Sequence, residues 1–150
     1  MKKFILGLFL ILGAVSFAAP KFVDMTKVKN AGYVIKNERE DILTMATSDD
    51  DSAIIISFST ANISSKEISD LLKSNALRDS GNFIATLDNN RAYINEFEAQ
   101  GFYSYMIVPK KEKVKNQHTY ATYVSSKKLS KNDLSKITNA ILDEAESYIK

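Results

Sequence analysis

The chain has 150 residues, with 20 lysines and arginines against 18 acidic residues, one histidine and no cysteine. Without cysteine there are no disulfides, no thiol catalysis and no thiolate metal ligation, and a formal charge of +2 lacks the basic excess of a nucleic-acid binder. One domain is expected at this length, and such a domain buries roughly two-thirds of its unfolded surface, enough for a core without cross-links.

Residues 1–18 read as a secretory signal peptide. Lys2 and Lys3 form a positive n-region, Phe4 to Phe17 carry no charge, and Ser16 and Ala18 place small residues at the −3 and −1 positions of a cleavage site. Cleavage after Ala19 would put Phe17 at −3 and Pro20 directly after the cut, which favours Ala18. The uncharged run is shorter than the roughly 20 residues that span hydrocarbon. With no cysteine near the site, a lipid-anchored form is excluded. The expected product is residues 19–150, exported to a periplasm or secreted, and not membrane-spanning after processing. Loss of Lys2 and Lys3 leaves 18 basic against 18 acidic residues, so no net positive field draws nucleic acid.

In chain order, Tyr33–Ile35 reads as a short strand. Ile42–Thr47 and Ala53–Thr60 flank the polar cluster Ser48-Asp49-Asp50-Asp51-Ser52, a hairpin pattern. Ala53-Ile54-Ile55-Ile56 is apolar on both faces, as in a central, covered strand. Ser64 and Glu67 form a capping box, with Ile63 and Ile68 spaced as a hydrophobic staple. A helix with the stripe Ile68, Leu71, Leu72 and Leu77 follows, ending near Arg78 and Gly81.

Phe83–Leu87 and Ala92–Ala99 flank Asp88-Asn89-Asn90-Arg91, a second hairpin whose asparagines tolerate left-handed backbone. Phe102–Val108 and Thr119–Val124 flank a lysine-rich loop, Pro109–His118. The last helix repeats the capping device with Ser130, Asp133, Leu129 and Leu134. Its stripe is Leu134, Ile137, Ile141, Leu142, Ala145, Tyr148 and Ile149, with a period of 3.6. The fold class is α+β: an antiparallel sheet of about six to seven strands and two main amphipathic helices, in the order strands, helix, four strands, helix.

Candidate chemistry is sparse. His118 is the one residue able to serve a Ser-His-Asp arrangement, but no G-x-S-x-G pattern accompanies it; the alternative is a half-exposed strand residue. One histidine without cysteine falls short of a zinc set. Glu96 and Glu98 share a strand face at roughly 7 Å, a spacing open to acid/base work of the glycosidase type. Alternation with Tyr93, Phe97 and Ala99 also explains them as the wet face of an amphipathic strand. Asp49, Asp50 and Asp51 lack the spaced D-x-D-x-D-G loop of a calcium site and read as a solvated turn. No catalytic residue, metal ligand or cofactor is assigned.

Binding candidates come from the aromatic strands and the lysine loop. Tyr103, Tyr105, Tyr120 and Tyr123 lie on adjacent strands, a tyrosine-lined surface for a partner or a small ligand. The alternative is that helices cover both sheet faces in three layers. Lys110 and Lys111, with Lys113 and Lys115, fill one loop, and Lys127, Lys128 and Lys131 follow the next strand. Pairing of that strand with Phe102–Val108 separates the two groups. Each could meet phosphates or anionic headgroups, or guard a hairpin tip against edge pairing.

The stretch GFYSYMIVPKKEKVKNQHTYATYVSSKKLSKNDLSKITNAIL leads an aromatic hairpin through a basic connection into an amphipathic C-terminal helix. In this order of elements, residues 82–150 resemble the PsbP/DcrB-like group of exported α/β/α-sandwich proteins. The chain departs from that group in its shorter N-terminal third and in lacking a lipobox cysteine. The group has no sharp catalytic signature, so no site residue carries over. The resemblance implies a non-enzymatic envelope accessory or binding role. Three readings follow: a small exported binding or accessory domain acting through its sheet surface, with an envelope protein or small ligand as partner; a carboxylate-dependent hydrolase; and a self-assembling or adhesive surface protein.

Overall fold

The computed structural model describes residues 18–79 and 81–150; the signal peptide read over residues 1–18 lies, up to Phe17, outside them. The elements are α1 (Met25–Asn30), β1 (Val34–Arg39), β2 (Ile42–Ser48), β3 (Ser52–Thr60), α2 (Ser65–Arg78), β4 (Asn82–Asp88), β5 (Ala92–Ala99), β6 (Phe102–Pro109), β7 (Gln117–Ser125) and α3 (Lys131–Ser147). The fold is α+β, with one seven-stranded sheet in the order β1-β2-β3-β7-β6-β5-β4. Every neighbouring pair is antiparallel.

The hairpin turns follow from local chemistry. At the β2–β3 turn, Asp49 Oδ1 accepts from the Asp51 and Ser52 amides at 2.9 and 2.7 Å. These bonds hold the Asp49 carboxyl below its ordinary pKa. The aspartate run is therefore a turn that satisfies its own backbone. At the β4–β5 turn, Asn89 Oδ1 accepts from the Arg91 and Ala92 amides. Between β5 and β6, Gln100 and Gly101 have φ of 54° and 82°, the two positive values that match a tight turn to the twist of its strands.

Successive strand residues point to opposite faces. On one face Leu43, Met45, Ile56, Phe58, Ile94, Tyr105, Ile107 and Ala121 form a continuous core with Val28 of α1 and Leu134, Ile141, Leu142 and Ala145 of α3. On the other, α2 lies across β5 and β6, above the buried Phe97 and Val108. Helices thus flank the sheet on both sides. Ser64 and Glu67 complete the expected capping box, and Ser130 Oγ accepts from the Asp133 amide while donating to its carboxylate.

Two expectations are corrected. Leu71 and Leu77 do not join the buried stripe of α2; they are 54% and 49% exposed, and Ser65 and Ser69 are buried beside Ile68 instead. Asn95 sets this orientation, because its buried amide donates to Ser69 O and Oγ and so turns that helix face to the sheet. The second concerns α1, which the sequence pattern does not announce. Its six residues are too few to show a period, and Asp24 starts it by accepting from the Thr26 and Lys27 amides.

The N-terminal segment is held by the C-terminal one. Val23 bridges Ile149, the Asp24 amide donates to Tyr148 O, and the Lys150 amide donates to Phe22 O. Tyr33 and Tyr148 each donate 2.8 Å to the same oxygen of Glu144, with their rings edge-on at 6.2 Å. Burial first, then the Glu144 carboxylate, raises both phenols, Tyr148 to about 12 and Tyr33 beyond it. A raised phenol pKa favours the folded chain below about pH 10, where the unfolded tyrosine is still neutral, and that contribution disappears as pH rises through about 12. Urea unfolding is therefore expected to lose more stability between about pH 8 and about pH 11 in the wild type than in Tyr33→Phe/Tyr148→Phe. Equal losses would show that these hydroxyls carry none of the alkaline sensitivity.

Candidate functional site

β4 lies at one edge of the sheet, and α3 returns over the face on the β7 side. Between edge strand and helix runs an open groove of about 820 Å³, within the roughly 300–1,000 Å³ of small-molecule sites. Leu87, Ile94 and Leu134 give it apolar surface; Asn90, Arg91, Lys131, Ser135 and Asn139 give it polar surface.

Arg91 fixes the hairpin against the helix. Its guanidinium meets Asp143 at 2.7 Å and Glu146 at 3.4 Å, and the bond to Asp143 pushes its pKa further up. Asp88, also on the groove, is bound to Lys110 at 2.5 Å and held below the ordinary carboxylate range by that contact. Lys131 lines the same groove and has no carboxylate partner among the described residues. The unmatched charge of the groove is therefore positive and sits at the first residue of α3.

The tyrosines of the sequence reading fall on two faces. Tyr105 is fully buried, its hydroxyl accepting from the Leu129 amide at 2.8 Å, and its ring lies 6.4 Å from that of Tyr123. Tyr103 and Tyr123 are half-buried in the same layer under α3. Tyr120, three residues before Tyr123, points to the opposite face beside Ser57 and Ser59, and burial raises its phenol. Lys110 is engaged with Asp88, and its ammonium also lies 5.5 Å from the Tyr93 ring centroid. Lys111 is exposed and lines a small cavity beside His118. The six candidates do not converge on one surface.

His118 is not half-exposed, as the strand-end position suggested, but 3% exposed. Its Nε2 lies 2.9 Å from Ala61 O; a carbonyl only accepts, so Nε2 carries the hydrogen. Nδ1 faces Glu112 Oε1 at 3.3 Å. Through Nε2 the ring ties the β3–α2 connection to β7, while Nδ1 makes no hydrogen bond and is buried away from solvent.

Glu96 is likewise not on a wet face. It is 3% exposed, and its Oε1 has no hydrogen-bond partner; Lys128 approaches that oxygen to 3.7 Å. Glu98 points the same way along β5, but its carboxylate accepts from the Gly101 amide and Asn82. Neither residue lines the groove or the cavity beside His118. Among the described residues, no group of three or more His, Asp or Glu side chains is placed to hold a metal ion, and no helix is long and apolar enough to cross a membrane.

Comparisons with protein-family models, with curated proteins and with solved structures returned no match.

Of the groove residues, the sequence pattern singles out Lys131 and Leu134 but not the concavity they share with the β4–β5 turn. Arg91 was placed in a turn, and Asp143 and Glu146 on the solvated side of the last helix; a lone arginine facing an i, i+3 acidic pair was the available signal. The buried carboxylate gives a separate expectation. Lys128→Ala leaves Glu96 without its counter-charge and is expected to cost roughly 1–3 kcal/mol. Adding Glu96→Gln should recover most of that loss in urea unfolding. A second substitution that merely adds its own destabilisation would rule out the coupling.

Proposed function

We propose that this chain is a small exported binding or accessory protein of the cell envelope or the secreted space, acting through the surface of its sheet at the groove between the β4–β5 hairpin and α3. The groove carries the reading: apolar floor and uncommitted polar groups meet in one open concavity, the usual character of a ligand site. The chemistry around it points away from the hydrolase alternative. Glu96 is sealed against Lys128 and Glu98 is bound to the β5–β6 turn, so the two carboxylates do not flank a space for substrate. The signal-peptide pattern supports export, and the resemblance of residues 82–150 to the PsbP/DcrB-like group supports an accessory role.

Ser135 lies on the helix side of the groove and its residue is exposed. Ser135→Trp is therefore expected to fill the groove without disturbing the core. Native mass spectrometry of protein purified from its own host's envelope fraction should give the mass of residues 19–150 plus a bound component, and that component should be missing from a folded Ser135→Trp variant. A bare wild-type protein, or a component retained by the variant, counts against the groove as the site. Retention of residues 1–18 counts against processing.

A further inference from the structure

The two edges of the sheet differ. β1 (Val-Ile-Lys-Asn-Glu-Arg) carries three charged residues, and its pairing is interrupted between Ile35 and Asn37. Charge and irregularity are the usual means of stopping an edge from recruiting another strand. β4 (Asn-Phe-Ile-Ala-Thr-Leu-Asp) has no lysine, arginine or proline. Its one irregularity lies between Phe83 and Ala85, so its regular part, Ala85–Asp88, runs beside the groove. The less charged edge, with one charged residue against three, is the one next to the ligand-sized concavity.

We propose that the groove takes an extended peptide segment, which adds to β4 as a further strand and carries an acidic side chain to Lys131. This rests on the groove being the binding site. Main-chain hydrogen bonds to an edge supply affinity in this mode, and side chains of alternate residues supply selection. On the groove side, alternate side chains of the added strand meet Leu87, Ile94 and Leu134. On the other side they meet Phe83, which is 37% exposed and carries the Lys73 ammonium 3.8 Å from its ring centroid.

The sign of the charge follows from the accounting at the groove. Arg91 is taken by Asp143 and Glu146, and Asp88 by Lys110. The dipole of α3 is answered by Asp133, whose carboxylate accepts from Ser130 Oγ in the first turn. Lys131 remains without a counter-charge, so an acidic residue gains there and a basic one is repelled. Asn90 and Ser135 make no side-chain hydrogen bond to another described residue and stand ready for polar groups of the ligand.

The test is selection of a displayed random heptapeptide library on the folded wild-type protein and on Lys131→Glu. Wild type should enrich peptides with alternating apolar residues and one Asp or Glu, and Lys131→Glu should lose the acidic bias. The best wild-type peptide, resynthesised, should bind Lys131→Glu roughly tenfold more weakly and should slow amide exchange across Asn82–Asp88. Selected peptides without acidic bias, an unchanged bias on Lys131→Glu, or no added protection in β4 each overturn the proposal. If native mass spectrometry finds a component lost in Ser135→Trp while the library selects nothing, the groove stands and the peptide inference fails. If both are blank, both fail.

Discussion

The antiparallel pairing of β3 with β7 is the contact on which the architecture depends. It joins nine residues of each strand, from Ser52↔Ser125 to Thr60↔Gln117, and it alone connects the N-terminal meander β1–β2–β3 to the C-terminal meander β4–β5–β6–β7. Side chains alternate along both strands, so a one-residue slip would exchange the faces of β3 against β7. Ile56 and Phe58 now meet α3's core on one side, with Ile55 and Ser57 on the other. A slip would set one meander's apolar set against the other's polar set. Closing this pairing across the whole of α2 and three strands is also the largest loop-closure cost among the strand pairings of the sheet.

The groove follows from that pairing. Because β7, last of its meander, must reach the centre to meet β3, β4 as the first is left at the far edge. α3 leaves β7 and folds back over the strands nearest to it, so its cover thins toward β4. The Arg91 contacts to Asp143 and Glu146 then tie the hairpin turn to the helix. A concavity between an edge strand and a returning helix is thus a product of chain order, with one arginine joining its two walls.

Much of the fold is legible in the sequence because its signals are local. The seven strands, their turns and the caps at Ser64 and Ser130 each rest on residues within a few positions of one another. What was hidden required knowledge of neighbours. Glu96 alternates like a solvent residue, but its face is the one under the β7–α3 connection, where Lys128 meets it. Leu71 and Leu77 fit a helical stripe as well as Ser65 and Ser69 do not; the buried amide of Asn95, on a strand twenty-six residues away, decides the orientation. Tyr120 and Tyr123 were separable from the start, since an odd spacing on a strand places them on opposite faces. The groove was not separable, because no local pattern tells which strand of a meander becomes the edge.

The electrostatics argue for a molecule built to hold its shape and present one surface. Four lysines have a carboxylate partner among the described residues: Lys110 in Asp88, Lys113 in Glu146, which also meets the Arg91 guanidinium, Lys128 in Glu96 and Lys66 in Asp70. Pairs of this kind contribute little each at the surface; in the lysine-rich loop they answer Lys110 and Lys113 and so halve the charge, left to Lys111 and Lys115. The consequence for recognition is specific. With 20 basic residues against 18 acidic ones, net charge steers a partner only weakly, and discrimination falls to short-range features at the contact itself. On the groove those features are an apolar floor, an edge strand without lysine, arginine or proline and one unmatched ammonium. Their combination favours a ligand that supplies backbone hydrogen bonds along its length and a negative charge at one point.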